Sequence, residues 1–373
     1  MIHLDHNATT PVTPSVLEAM LPYLTTAQGN ASSDHAAGRV ARAAVAKARA
    51  QVAQIIGAQP DEVIFTSGAT ESSNLAIYGS AKASPRRHVV TTPIEHIATL
   101  APCRDLAQRG YELSLLDVDA TGCLSTSSLP KVIRDDTLLV SVMHANNETG
   151  SIQDVRAVSR CARPNGALVH CDAAQSVGKI PVDVHALDVD LLSIAGHKLY
   201  APKGVGALYV RRGTPLAPFA LGGSQEGGLR PGTENVAFIA ALGQACADAE
   251  SRLKEDQARL QELRDRLHRR LTAALPELRL FGHPTDRLPN TLTIGFPGLS
   301  GYDVLARAPE LVASCSAACH AGSVAPSHVL TAMGASPAEA RQMIRLSLGR
   351  HTTPEEIDAA SIALVQAVED ATR

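Results

Sequence analysis

The chain has 373 residues, of which 45% are hydrophobic and 19% are charged, and its formal net charge is −3 at pH 7. This composition supports a large folded core and excludes an intrinsically disordered chain. The sequence contains no dense Lys/Arg run and no apolar run of roughly 20 residues, so we expect neither direct binding of nucleic acid nor a membrane-spanning helix.

The start of the chain and its cysteine count indicate the cellular compartment. The start, MIHLDHNATTPVTP, lacks the basic and apolar regions of a signal peptide, and the odd number of seven cysteines fits a reducing compartment. We therefore expect a cytoplasmic protein.

The N-terminal part of the chain is predicted to be helical. From about Thr13 to Gln54 the pattern is helical, with Pro14 at a helix start and apolar positions at helical spacing from Gly38 onward.

The next part of the chain alternates short β-rich runs with helical stretches. Because this alternation is typical of a parallel sheet between layers of helices, it predicts an α/β fold with a large domain built on a mostly parallel seven-stranded sheet. Ligands of such sheets bind beyond the carboxyl ends of the strands. The seven runs are EVIFTSG, HVVTT, YELSLLDV, TLLVSVM, GALVHCD, DLLSIAG and GVGALYV.

A long helical pattern, residues 235–275, follows these strands, and we leave open a break near its middle. Fewer strands come after it, NTLTIGF and ELVASCS among them, and then helical patterns around Pro326 to Met333 and Pro354 to Val368. These elements predict a small α+β domain. We place the large domain at residues 14–255 and the small domain at residues 1–13 and 256–373.

Three loops at predicted strand ends carry side chains that could do chemistry. Lys198, in GHK among glycines, could form a Schiff base if it were desolvated, although a surface lysine is the simpler interpretation. Asp172, at the end of an apolar run, could hold a proton on a pyridinium nitrogen, or it could cap a helix. Gly68 and Thr70 open a predicted helix and offer a cradle for a phosphate group. Each of these signals is weak by itself.

The order of several motifs along the chain is more specific. They run through nearly the whole sequence as ATT, TSGATES, EH, NNETG, DAAQSVGK, GHK, RPGTEN and SAAC. This order resembles the NifS/IscS-type cysteine desulfurases, which belong to the class V aminotransferase family and are fold type I pyridoxal-phosphate enzymes. The resemblance covers roughly residues 2 to 365, and it implies pyridoxal 5′-phosphate as the cofactor and L-cysteine as the substrate.

The resemblance assigns a role to several residues around the cofactor. Lys198 matches the Schiff-base lysine, Asp172 the partner of the pyridine nitrogen, and Gln175 a hydrogen-bond donor to the phenolic oxygen. His96 matches a histidine that stacks on the ring and takes part in catalysis. Asn147 matches a residue that contacts both the cofactor and the substrate carboxylate.

The phosphate and carboxylate ligands follow from the same resemblance. Thr70 and His197 match phosphate ligands, whereas Thr233 matches a threonine that reaches the cofactor of the other subunit, which implies a homodimer. Ala195 departs from the serine that many IscS-type members carry, so one phosphate hydrogen bond fewer is expected. Arg345 matches the residue that holds the substrate carboxylate, a role that suits a guanidinium. Arg350 is the competing candidate.

Cys319, in SAACHAG, matches the cysteine that attacks the sulfur of the substrate. The implied reaction leaves a persulfide on Cys319 and releases L-alanine, and Lys198 is the implied base. Because a free thiol has a pKa of about 8.5, we hypothesise that His320 helps Cys319 to ionise. Cys315 is interpreted as a packing residue, with a transient disulfide to Cys319 as an alternative. No metal site is expected, since the Cys-x₃-Cys-His group lacks a second pair of ligands.

Two alternatives and one open question remain at this point. A selenocysteine lyase would use the same scaffold, and a catalytically silent subunit could keep the fold for binding a partner. For a desulfurase, the sulfur must pass to an acceptor protein. Iron–sulfur assembly, tRNA thiolation and DNA phosphorothioation all draw on such enzymes, and the sequence does not select one of them.

Overall fold

The helices of the chain are given by a computed structural model, which describes residues 1–315 and 326–372. Within these residues, none of the helices is long and apolar enough to cross a membrane. The helices are α1 (Pro14–Thr25), α2 (Ala36–Ile55), α3 (Ala69–Ala83), α4 (Ile97–Gln108), α5 (Leu129–Val132), α6 (Val155–Ala162), α7 (Val184–Leu187), α8 (Val236–Ala274), α9 (Gly301–Ala306), α10 (His328–Ala332), α11 (Pro337–Arg341) and α12 (Pro354–Thr372).

Two predicted helical stretches differ from the structure in opposite ways. The prediction of one helical stretch from Thr13 to Gln54 was wrong, because α1 and α2 are separated by a loop at residues 26–35. This loop holds Gly, Asn, Ser and Asp residues, which favour turns. In contrast, α8 is continuous over its 39 residues, with no break near the middle.

The large sheet confirms the predicted seven-stranded α/β architecture. Its strand order is β2-β8-β7-β6-β5-β3-β4, and β8 is antiparallel to both of its neighbours while the other pairs are parallel. Every one of its strands lies in a run predicted from the sequence. They are β2 (Val63–Thr66), β3 (His88–Thr91), β4 (Glu112–Leu115), β5 (Thr137–Met143), β6 (Leu168–Asp172), β7 (Leu191–Ala195) and β8 (Gly206–Val210).

The remaining strands form two small sheets. One pairs β1 with β11 in parallel, and the other has the order β12-β13-β10-β9. The predicted single strand ELVASCS is therefore two short strands in different sheets, and β9 and β13 were not predicted. The bounds are β1 (Ile2–His3), β9 (Arg279–Phe281), β10 (Thr291–Gly295), β11 (Leu311–Val312), β12 (Ser314–Cys315) and β13 (Met343–Ser347).

Two hydrophobic clusters account for most of the core. The larger one packs one face of the large sheet and includes residues from Val16 to Ala249, whereas a smaller cluster around Leu75, Leu139 and Leu208 packs the opposite face. The second one includes Leu4 together with residues from Leu260 to Val368. Helix α8 contributes to both clusters, and the predicted domain boundary at residues 255 and 256 falls inside this helix. The division into two domains at that point stays a prediction.

Candidate active site

A cavity of about 560 Å³ opens at the carboxyl ends of the central strands. The structure brings most of the predicted site residues together in its wall. Thr233 and Arg350 do not line it, and Cys319 and His320 lie outside the described residues. The predicted residues that line the cavity are Thr70, His96, Asn147, Asp172, Gln175, His197, Lys198 and Arg345, with Ala195 beside them.

Asp172 is the last residue of β6, and its carboxylate lies in the wall of the cavity. It is only 6% exposed, and its Oδ1 accepts a hydrogen bond from the Ala174 N–H at 2.9 Å. Burial raises the pKa of Asp172, while the Ala174 N–H and the positive charges of His96 and Lys198 oppose this effect. A ligand that brings a proton or a positive charge to this carboxylate would therefore be held firmly.

Lys198 follows β7 and points back toward the N-terminal segment. Its Nζ donates hydrogen bonds to the backbone oxygens of Asn7 and Ala8, the latter at 2.6 Å. Burial lowers the pKa of Lys198 to about 8, and the charge of Arg345 adds to this effect. The amine thus has a much larger neutral fraction near pH 8 than an ordinary lysine, which is the form that attacks a carbonyl group.

Gln175 lies in the turn after β6 and is 5% exposed. Its Nε2 donates to the Asn7 backbone oxygen at 3.0 Å, and its Oε1 accepts from Lys179 Nζ at 2.6 Å. The side chain of Asn7 also contacts Lys179, through its Oδ1 at 3.1 Å. Asn7 therefore connects the N-terminal segment to both Gln175 and Lys198.

His96 caps the start of α4 and is exposed to the cavity. Its Nδ1 accepts from the Ala98 N–H at 3.1 Å, so the proton of the neutral ring lies on Nε2. Desolvation by the surrounding protein lowers the pKa of His96, although the Asp172 carboxylate opposes this effect. The lowered pKa favours the neutral ring, in which Nε2–H is a hydrogen-bond donor toward the cavity.

The start of α3 provides an anion site in the same wall. Gly68 caps this helix with a φ of 151°, which a residue with a side chain rarely adopts, and no side chain caps the first turn. The N–H groups at residues 69–71 and the Thr70 hydroxyl are thus available for a phosphate. Gly206 of β8 packs so closely behind this loop that a Cβ there would lie 2.6 Å from Gly68 Cα.

Arg345 of β13 forms the opposite side of the cavity. Its Nη2 donates to Asp5 Oδ1 at 2.8 Å and to Ser314 Oγ at 3.0 Å, and its Nη1 donates to the Asn147 backbone oxygen at 3.0 Å. Its Nε is buried and has no partner among the described residues. This N–H is thus free to receive an oxygen of a carboxylate ligand, as expected for a carboxylate-binding arginine.

Arg350, the competing candidate, lies behind the cavity. Its Nε donates to Asp256 Oδ2 at 3.0 Å, and its guanidinium stacks 4.6 Å above the ring centre of Tyr200. Both charged side chains of this ion pair are less than 10% exposed. The contacts give Arg350 a structural position between α8 and the end of β13, away from any ligand in the cavity.

The cysteines within the described residues fit packing positions. Cys315 is half-buried against the second hydrophobic cluster, and burial raises its pKa to about 12, so it is a neutral thiol at pH 7. In residues 1–315 and 326–372, no group of three His, Cys, Asp or Glu side chains is arranged to hold a metal ion. The predictions for the Cys319 thiolate, for His320 and for a Cys315–Cys319 disulfide concern residues outside the described part.

The cavity fits the cofactor that the fold family implies. Pyridoxal phosphate needs a carboxylate for its ring nitrogen, an amine for its aldehyde and N–H groups for its phosphate, and Asp172, Lys198 and the start of α3 supply them. Ala195 offers no hydroxyl at the place of the family serine. His197 lies in the cavity wall with its pKa lowered to about 4, mainly by burial and then by Lys198, so its ring is neutral at pH 7.

Sequence reasoning missed several residues that hold this site together. Asn7, Lys179 and Asp5 each bind a predicted site residue, and Glu148 accepts a hydrogen bond from Ser327, which begins α10. Lys179 ends the motif DAAQSVGK and Asn7 precedes ATT, so both lie in or next to quoted motifs. The sequence carries no signal that these residues contact one another, because they are more than 160 positions apart.

The comparisons with known proteins agree with this arrangement. The aminotransferase class-V family matches residues 2–360. Cysteine desulfurase 2 of Trichormus variabilis is 46% identical over 96% of this chain and 90% of the relative. A solved NifS-like protein aligns with a TM-score of 0.92 at 36% identity and covers 99% of both chains. The crystal structure of DndA from Streptomyces lividans aligns with a TM-score of 0.80 at 40% identity, over 91% of this chain and 97% of that one. The chain belongs to the class-V aminotransferase family, among its cysteine desulfurases.

Proposed function

We propose that the protein is a pyridoxal-phosphate-dependent cysteine desulfurase that converts L-cysteine to L-alanine and takes the sulfur on Cys319. The observation that carries this proposal is the joint presence of Asp172, Lys198 and Arg345 in one cavity. A carboxylate for the ring nitrogen, a lysine with a pKa of about 8 and a guanidinium for a carboxylate are the three groups that such a reaction requires.

Each residue has a definite task in this proposal. When bound, pyridoxal phosphate supplies an electron sink for the charge that develops at the substrate α-carbon. Arg345 binds the substrate carboxylate, and Asp172 keeps a proton on the ring nitrogen. Lys198, once its amine is free, accepts the α-proton, for which its lowered pKa suits it. We assign His96 to stack on the ring and to take part in catalysis, as the family resemblance implies, with Nε2–H as its hydrogen-bond donor.

The sulfur-transfer step falls to Cys319, which is proposed from the sequence resemblance. Its thiolate forms an S–S bond with the substrate sulfur while the C–S bond of the substrate breaks, and the bonding electrons stay with the carbon skeleton. That skeleton takes up protons and leaves as L-alanine, and Cys319 keeps a persulfide. No external oxidant is needed, because the sulfur is oxidised from the thiol level to the sulfane level of the persulfide while the carbon that carried it is reduced.

The persulfide must then pass to an acceptor protein. Iron–sulfur assembly, tRNA thiolation and DNA phosphorothioation remain the candidate pathways, and the likeness to DndA supports the last of them. We also propose a homodimer in which Thr233 reaches the cofactor of the other subunit. In support, Thr233 is exposed and does not line the cavity of its own chain. The cytoplasmic location stays a prediction from the sequence.

The proposal is tested by measuring alanine and sulfide release from L-cysteine with a reductant present. The wild type is compared with Cys319→Ser, and the visible spectrum of each protein is recorded. We expect a yellow, active wild type and a variant that stays yellow but releases no sulfide. A Cys315→Ser variant is the matched control, because it changes a second cysteine only four positions away in the sequence, and it should keep its activity.

The outcomes separate the alternatives. A colourless wild type contradicts the cofactor assignment and favours the silent partner subunit. A fully active Cys319→Ser protein contradicts the role of that cysteine. Activity on L-selenocysteine with none on L-cysteine would instead establish a selenocysteine lyase on the same scaffold.

A further inference from the structure

Lys179 is a half-buried lysine that no step of the proposed reaction uses. It lies in the turn after β6, four residues beyond Gln175, and its Nζ donates to Gln175 Oε1 at 2.6 Å and to Asn7 Oδ1 at 3.1 Å. Neither partner is charged. Among the described residues, no carboxylate oxygen lies within 4 Å of Lys179 Nζ, so this lysine forms no ion pair there.

This position is costly for a lysine. Burial lowers the pKa of Lys179 well below its usual value, and the nearby charges of Lys198 and Arg345 lower it further. A lysine that is partly removed from water and has no counter-ion lowers the stability of the folded state, so it is more often found where it serves a function than where it only fills space. Its two hydrogen bonds indicate where that function lies.

The hydrogen bonds of the Lys179 amino group explain why a lysine is placed there. A hydroxyl or an amide could face either end of the Gln175 amide, because such groups both donate and accept hydrogen bonds. The Lys179 amino group donates to the side-chain oxygen of Asn7 as well as to Oε1, so in this network it acts as a donor toward the Gln175 amide. The Gln175 Nε2 is then turned to the other side, where it donates to the Asn7 backbone oxygen at 3.0 Å. One N–H of this amide remains for a ligand of the cavity.

We propose that Lys179 is a positioning residue that fixes the Gln175 amide so that Nε2 faces the cofactor. This inference rests on the proposed function, in which Gln175 donates a hydrogen bond to the phenolic oxygen of pyridoxal phosphate. Lys179 does not touch the cofactor itself. It acts mainly through Gln175. A second, smaller effect passes through Asn7, because Lys179 Nζ also donates a hydrogen bond to Asn7 Oδ1.

A double-mutant cycle tests this proposal. Lys179→Met, Gln175→Ala and the double variant are compared with the wild type, and Lys82→Met, an exposed lysine on α3, is the control. Two quantities are measured: the dissociation constant of pyridoxal phosphate from the reconstituted apoprotein, and the pH midpoint of the visible absorbance band. Melting temperatures of the apoproteins report any loss of stability separately.

We expect Lys179→Met to weaken cofactor binding by about tenfold, the usual effect of one lost hydrogen bond of this kind. The pH midpoint should rise, because the phenolic oxygen loses stabilisation of its negative charge. In the Gln175→Ala background the same substitution should have little further effect on either quantity, since the residue through which Lys179 acts is gone. Lys82→Met should leave both quantities unchanged.

Effects that add in the double variant would overturn the proposal, because Lys179 would then act independently of Gln175. An unchanged midpoint and affinity in Lys179→Met would overturn it as well. If Lys179→Met does not fold, Lys179→Gln takes its place in the cycle, since it keeps a donor group at a shorter reach. A wild type that binds no pyridoxal phosphate would contradict the proposed function itself, which is a different result.

Discussion

Arg345 and Asp5 form an ion pair of 2.8 Å that joins β13 to the N-terminal segment at the edge of the cavity. The side chain of Arg345 is only 9% exposed and that of Asp5 is 18% exposed, so solvent screens this pair weakly. Ser314 adds a hydrogen bond to each partner. These contacts hold the guanidinium in place before any ligand binds. They therefore reduce the conformational-entropy cost of binding a carboxylate ligand.

Substitution of Arg345 by lysine is expected to raise the KM for L-cysteine. A lysine keeps the charge but lacks the unpartnered Nε–H and cannot make the contacts with Asp5, Ser314 and Asn147 together, so kcat/KM should fall by about 10- to 100-fold, mainly through KM. Arg350→Lys is the matched control, and it should lower the melting temperature while KM stays unchanged. Equal KM values in the two variants would show that Arg345 does not hold the substrate.

The lowered pKa of Lys198 predicts how fast the apoprotein captures its cofactor at different pH values. Because the pKa of Lys198 is lowered to about 8, the neutral fraction of its amine increases as pH rises through 8 and approaches one above pH 9. The rate at which colour appears after mixing with pyridoxal phosphate should therefore rise between about pH 6.5 and 9 and then level off. A free lysine derivative, measured alongside, should keep rising to pH 10. The same late rise in the protein would contradict the lowered pKa.

Replacement of Asp172 by asparagine should separate activity from stability. The folded-state pKa of Asp172 is raised by burial, so ionisation at pH 7.5 costs folding free energy. Asp172→Asn removes this cost and can keep the hydrogen bond from Ala174, so the apoprotein should melt at the same temperature or higher. Activity should fall at least 100-fold, since the ring nitrogen loses its carboxylate partner. A destabilised apoprotein or an active variant would each contradict this view of the site.

A buried carboxyl group next to His96 gives a pH signature in stability. Glu95 is fully buried, its Oε1 accepts from Thr92 Oγ1 and the Met143 N–H, and burial raises its pKa from 4.5 to about 8. In this pH range the unfolded chain has lost the proton while the folded protein keeps it, so stability falls as pH rises. The Glu95→Gln variant has no ionisable group at this position, so it does not lose stability in this way. The melting temperature of the variant minus that of the wild type should therefore increase from pH 5 to pH 8. A constant difference would contradict the raised pKa.

The sequence predicted the large sheet well because most of its strands are short, buried and largely apolar runs, as a sheet covered on both faces requires, although the edge strand β4 is partly exposed. It predicted the small sheets less well, since Arg345 interrupts β13 and since β11 and β12 have two residues each. The residues of the cavity came from motif order, not from periodicity. Asn7 and Asp5 were missed because their contacts with the site cross 160 or more positions of sequence. Lys179 was missed although Gln175 is only four residues away, because its second partner, Asn7, is equally distant in the sequence.

Helix α8 has a mechanical consequence for the protein as a whole. With 39 residues at about 1.5 Å each, it is a rod roughly 58 Å long, and the side chains of its two halves pack in different hydrophobic clusters. When one cluster unfolds, the half of α8 that packs in it loses its tertiary contacts. Unwinding of the helix then spreads from that half toward the other cluster. We expect a single calorimetric transition for the apoprotein, with the two clusters behaving as one thermodynamic unit.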